Sequence, residues 1–72
     1  MTDATKLTTP DEILQAALVK EKEAHRFYSD LLAHCQVQLV RELVERLRNE
    51  EHKHIRMVEG MITRLNLGKD LA

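Results

Sequence analysis

From Val37 to Leu65, the residues Val37, Val40, Val44, Leu47, Glu51, His54, Val58, Met61 and Leu65 follow one another at alternating steps of three and four. Such a row is the seam of an α-helix that packs lengthwise against another helix, and Leu43, Ile55 and Ile62 widen it. A helix with so broad an apolar face needs a partner to cover it. The middle of the seam is also interrupted, because Glu51 and His54 stand where apolar residues belong.

The first half of the chain predicts that partner. Thr9 reads as an N-cap, Pro10 as the first helical residue and Glu12 as the acid that closes a capping box. Beyond it Leu14, Ala17, Leu18, Ala24, Tyr28, Leu31 and Leu32 recur at helical spacing. The row 14, 18, 21, 25, 28, 32 puts Glu21 and His25 on the apolar stripe as well. The expected layout is a flexible tail over residues 1–8, a helical hairpin over 9–67 and a C-terminal tail over 68–72. Helix 1 is expected over about 10–33 and helix 2 over about 37–66, with Gly68 suited to the C-cap.

The connection, "AHCQ" at 33–36, contains neither Gly nor Pro, so one continuous helix is the competing layout. The rows decide for a break. Helix 1's seam would continue at 35 and 39, whereas the next seam runs through 37 and 40. Folding back also aligns the polar residues, since the midpoint between Glu21 and Glu51 is residue 36. Each glutamate is then about 22 Å from the turn along its own helix, at 1.5 Å per residue. Glu21 and Glu51 come level, and His54 joins their layer.

Chain length and composition narrow what this layer can be. Seventy-two residues make one small domain, which as a monomer buries only about 60% of its unfolded surface. Folds this small are reinforced by disulfides, a metal or oligomerisation. Cys35 is the only cysteine, which leaves the last two and favours a reducing compartment. A net charge of -1 with interspersed signs lacks the basic stripe of a nucleic-acid binder. No apolar run is long enough for a membrane span and the N-terminus lacks a signal-peptide core, so a cytoplasmic protein is expected.

Buried carboxylates cost several kcal/mol each unless cations or hydrogen bonds compensate. If two hairpins pair about a two-fold axis, the central layer holds two copies each of Glu21, Glu51 and His54. That is the ligand inventory of a carboxylate-bridged dimetal site: one Glu from each of two helices and a Glu-x-x-His from each of the others. The charge of four carboxylates matches that of two divalent ions. Mixed carboxylate and imidazole ligation favours iron or manganese over structural zinc.

The motifs that carry this layer are "EKEAHRFY" at 21–28, of the form E-x-x-A-x-x-[FWY]-Y, and "EEHKH" at 50–54, of the form E-E-x-x-H. Together they resemble the rubrerythrin-like branch of the ferritin-like superfamily, and most closely its short two-helix form, the encapsulated ferritins. The resemblance spans roughly residues 10–66. It implies an all-α antiparallel hairpin that dimerises into a ferritin-like four-helix bundle, as a homodimer or higher even oligomer. It further implies two irons per dimer site, ligated by Glu21, Glu51 and His54, and oxidation of Fe(II) to Fe(III) in iron storage or detoxification. By the same resemblance Tyr28 packs beside the site, while Glu23 and Glu50 are acidic neighbours that guide iron toward it. Lys20 departs from the pattern, standing where encapsulated ferritins carry another acid. His25 matches no family ligand and is left as a neighbour of the site or an extra ligand. The "LNLGKDLA" tail faintly resembles the tags that direct cargo into encapsulin shells, although a capped helix end is the preferred reading.

The competing function is a metal-free dimeric hairpin serving as a structural or interaction module, with the seam glutamates and histidines hydrogen-bonded to fix its register. The remaining residues carry plainer expectations. His52 is read as solvated, His34 as a turn residue, Cys35 as an ordinary thiol, and Met57 and Met61 as packing. Arg41, Arg46, Arg48 and Arg56 alternate with glutamates as a solvated face.

Overall fold

The structure, a computed structural model, describes residues 6–71, with side chains through Gly68. The described residues form two helices and no strand: α1, Pro10–His34, and α2, Gln38–Leu71. The short connection folds α2 back along α1 as a hairpin. Of the expected terminal tails, residues 1–5 and 72 lie outside the described residues. No helix among the described residues is long and apolar enough to cross a membrane.

α1 starts where its capping residues require. Thr9 Oγ1 accepts a hydrogen bond from the Glu12 amide at 3.1 Å, and Pro10 opens the helix without an N–H to satisfy. The Thr9 hydroxyl in turn donates to Glu12 Oε1 at 2.8 Å. Asp11 and Glu12 also place negative charge at the positive end of the helix dipole.

The turn is held by side chains. No described residue adopts a positive φ, so neither Gly nor a left-handed cap is needed. Instead the Arg41 guanidinium, from the first turn of α2, donates to the Leu32 carbonyl and to the Cys35 carbonyl, the latter at 3.0 Å. The His34 ring pairs with the Asp30 carbonyl at 2.9 Å. The two Arg41 bonds supply donors to carbonyls at the end of α1, where a helix leaves its last acceptors orphaned. At its other end α2 outlasts the expected limit near 66. Gly68 is not a C-cap but lies inside the helix, which continues to Leu71 with no proline to stop it.

Packing follows the α1 row closely and the α2 row in part. Leu14, Leu18, Glu21, His25, Tyr28 and Leu32 all turn away from solvent, as their spacing predicts. On α2 the covered positions include Val44, Glu51, Val58 and Leu65 from the predicted seam. Between them, however, Arg41, Arg48, Ile55 and Ile62 are covered, while Val40, Leu47 and Met61 remain exposed. The apolar band of α2 is wider than one partner helix, and α1 takes only one half of it. Arg41 and Arg48 therefore belong to the packed side rather than to a solvated face, their aliphatic stems covering apolar surface. Met57 and Met61 do not pack within the hairpin, being 70% and 47% exposed.

The chain is a single layer of helices, with principal extents of 52 × 26 × 13 Å. Among its described apolar side chains only Leu32 and Val44 are buried. Ile13, Phe27 and Leu31 of α1 and Leu43, Leu47 and Met61 of α2 stay exposed. On each helix these residues lie roughly a quarter-turn from the packed stripe, displaced in the same rotational sense about the helix axis. Because the helices are antiparallel, equal displacements bring both sets to one side. The hairpin thus has one continuous uncovered apolar flank, far more than scattered surface residues would make.

Arg41→Ala should lower stability by about 1–2 kcal/mol in chemical denaturation, the loss of charge-assisted bonds to carbonyls. Arg41→Lys should recover only part of this, because an ammonium cannot bridge two carbonyls as a planar fork does. An unchanged midpoint for Arg41→Ala would show that the clamp does not hold the turn. A Cβ added at Gly60 meets nothing within 4 Å. Gly60→Ala is therefore expected to stabilise the helix by about 1 kcal/mol, measured in the same assay.

Candidate metal centre

Glu21 and Glu51 stand across from each other on the packed stripes of α1 and α2, at the level that a fold at residue 36 predicts. His54, three residues beyond Glu51 on the same helix, reaches both. Its Nδ1 lies 3.4 Å from Glu21 Oε2 and 3.6 Å from Glu51 Oε2. Donor atoms of the three residues all fall within 4.8 Å of one another. Exposure grades across the group, from 18% for the Glu51 side chain through 30% for Glu21 to 45% for His54. The cluster is closed behind Glu51 and opens at His54, which leans toward the uncovered apolar flank.

The electrostatics are unsettled at Glu51. Its Oε2 is buried and has no hydrogen-bond partner. Its pKa is pushed above the ordinary carboxylate value of 4.5, chiefly because the adjacent Glu21 carboxyl favours a proton held between the two. Burial and the negative charge of Glu21 push in the same direction, while His54 opposes them. Two carboxylates and an imidazole that converge in this way can be satisfied by a shared proton or by a cation. The donor set fits a divalent ion such as iron or manganese, and the orphaned Glu51 oxygen supplies a place for one.

A family model described as rubrerythrin matches residues 12–72, nearly the whole of the hairpin. The chain belongs to the rubrerythrin family. It thus falls in the rubrerythrin-like branch of the ferritin-like superfamily, a group of iron-binding helical proteins, as the two motifs implied. Comparison with curated proteins and with solved structures gives no match. In this rubrerythrin-family chain the cluster falls on the residues that the motifs single out, Glu21, Glu51 and His54.

The other residues singled out in the sequence lie elsewhere. Glu23 points outward and pairs with Lys20 at 3.4 Å, and Glu50 pairs with Lys53 at 3.3 Å. Neither acid joins the cluster, since each sits on a different side of its helix from the seam glutamate beside it. Each acid is ion-paired with a lysine of its own helix. Tyr28 lies two turns beyond Glu21 on the packed stripe and sets its ring against Phe27, with centroids 5.7 Å apart. His25 is half-buried one turn beyond Glu21, and its ring faces His52, with centroids 6.1 Å apart. That pairing was missed because His52 sits off the seam; only its flank position, taken across the hairpin, points to it.

The raised Glu51 pKa fixes the sign of a stability effect. The folded chain holds this proton more tightly than the unfolded chain does. The resulting stabilisation is complete below the unfolded value near 4.5 and is lost as pH rises through the raised folded value. In the metal-free protein at neutral pH an ionised Glu51 is therefore a liability. Glu51→Gln should raise the melting temperature of the apo protein at pH 7 and flatten its dependence on pH above 4.5. A lower melting temperature at pH 7 would contradict the electrostatic account.

Proposed function

We propose that two copies of the hairpin join through the uncovered apolar flank into a four-helix bundle whose shared layer binds and oxidises Fe(II). The observation that carries this reading is the buried, unpartnered Glu51 Oε2, grouped with Glu21 and with His54, the member of the cluster that opens toward the uncovered apolar flank. In the dimer each chain supplies half of the layer, and the ligands amount to four carboxylates and two imidazoles. Two divalent cations neutralise the carboxylates, which removes the reason for Glu51 to hold a proton. Mn(II) suits the same donors and is the natural competitor.

The residues act through charge and position. Glu21 and Glu51 bind as carboxylates, so cation binding displaces the proton between them and strengthens as pH rises. Their negative charge favours the ferric product over the ferrous substrate, which promotes loss of an electron. His54 contributes a neutral nitrogen donor from the open edge of each half-site. Two Fe(II) yield two electrons, and dioxygen accepts them with two protons to give hydrogen peroxide. The activity is that of a ferroxidase, an Fe(II):oxygen oxidoreductase, in iron storage or detoxification. A two-helix dimer encloses no storage cavity, so mineral deposition requires a higher even oligomer or an encapsulin-type shell.

Anaerobic titration with Fe(II), followed by air, tests the reading through the ferric absorbance and its stoichiometry. The expected result is about one iron per chain, with rapid oxidation lost in Glu51→Ala and His54→Ala. Leu43→Glu, which charges the flank two turns before Glu51, should give monomers in sedimentation and weaken iron binding. Unchanged oxidation in the ligand variants would refute the site, and tight iron binding by a Leu43→Glu monomer would refute its shared construction. A metal-free structural module would instead show a melting temperature indifferent to Fe(II).

A further inference from the structure

Beside the carboxylate cluster but outside it, two histidines on different helices come close to each other. His25 of α1 and His52 of α2 have ring centroids 6.1 Å apart and planes inclined at 49°. Among the described residues neither ring has a hydrogen-bond or ion-pair partner in the protein, although their nitrogens are strong donors or acceptors. Two imidazoles that share one ion through bonds of about 2.0–2.1 Å have ring centres roughly 5–6.5 Å apart, from tetrahedral to linear geometry. The observed spacing lies in that range, so the rings are close enough for one nitrogen of each to be turned toward a shared ion.

Helical phase places the pair apart from the interface. His54 leans to the apolar flank, and His52, two residues earlier, projects to the opposite side of α2. His52 is exposed and His25 half-buried. A partner seated on the apolar flank leaves both accessible to ions from solution. The donor types also differ between the two places. The cluster offers mainly carboxylate oxygen, which suits iron and manganese, whereas the pair offers imidazole nitrogen alone, which suits copper, nickel and zinc.

We propose that His25 and His52 form a second cation site that takes a borderline divalent ion, Cu(II) foremost, bridging α1 and α2 on the flank opposite the apolar face. Copper leads because affinities of nitrogen donors peak there among divalent first-row ions. The ion clamps the two helices together level with the metal centre, and waters complete its coordination. Since an unfolded chain holds the two histidines far apart, binding favours the folded hairpin.

The test uses Cu(II) with the full chain carrying Glu51→Gln and His54→Gln, so that the carboxylate cluster is disabled. The expected result is about one Cu(II) per chain, an electron paramagnetic resonance spectrum with two equatorial imidazole nitrogens, and a raised melting temperature. Adding His25→Gln or His52→Gln should abolish the two-nitrogen signal and the thermal shift, with helical content by circular dichroism unchanged. His52 is exposed, so its variant decides if replacement of His25 unfolds the chain. A two-imidazole spectrum that survives either replacement would overturn the proposal. So would the absence of copper binding in the cluster-disabled chain, which would leave the pair as a ring contact that only sets register.

Discussion

Two carboxyl groups that face each other across a helix pair repel once both are ionised, and this chain offers them only one imidazole as relief. Glu21 and Glu51 are in that position, with one Glu51 oxygen buried and unsatisfied. Apolar residues at both positions would pack the hairpin better, since replacing buried ionic groups by hydrophobic ones is often stabilising. The contact is therefore a cost that stability alone does not justify. It becomes intelligible if the layer is shaped for a cation, whose charge settles the repulsion and whose bonds satisfy the orphaned oxygen.

The same layer ties the site to the shape of the chain. A hairpin one helix thick cannot enclose anything, and here His54 lies at the edge of the packed stripe that borders the open apolar flank. Polar donors at the rim of an apolar face are poorly placed in a monomer, because water competes for them. Covering the flank would both bury the exposed aliphatic residues and dry the site, which strengthens electrostatic interactions within it. In the proposed dimer, assembly and metal affinity are two readouts of one surface.

Much of this was legible in the sequence because it depends on periodicity. The α1 row, the capping at Thr9 and the pairing of Glu21 with Glu51 about residue 36 all follow from counting, and the two motifs named the family. What periodicity leaves open is which half of a broad apolar band meets a given partner. Positions 40, 47 and 61 and positions 41, 48 and 62 are adjacent rows on one helix, and only packing against α1 separates them. Arg41 and Arg48 hide this choice, since a charged tip looks solvated while its stem covers apolar surface. The Arg41 clamp joins residues nine and six apart through side chain and backbone, a link that no residue pattern announces. The outward pairing of Glu23 and Glu50 with neighbouring lysines was readable from helical angle.

The connection between the helices is only three residues long, Cys35 to Val37, and Arg41 grips the carbonyls on its far side. One extra residue there would lengthen the chain between the helices by up to about 3.8 Å and, unless the loop absorbed it, shift the start of α2 against α1. Such a shift would draw the guanidinium from its carbonyls and take Glu51 out of level with Glu21. The chemistry of a centre some 22 Å away is thus gauged by the length of a loop that never approaches it.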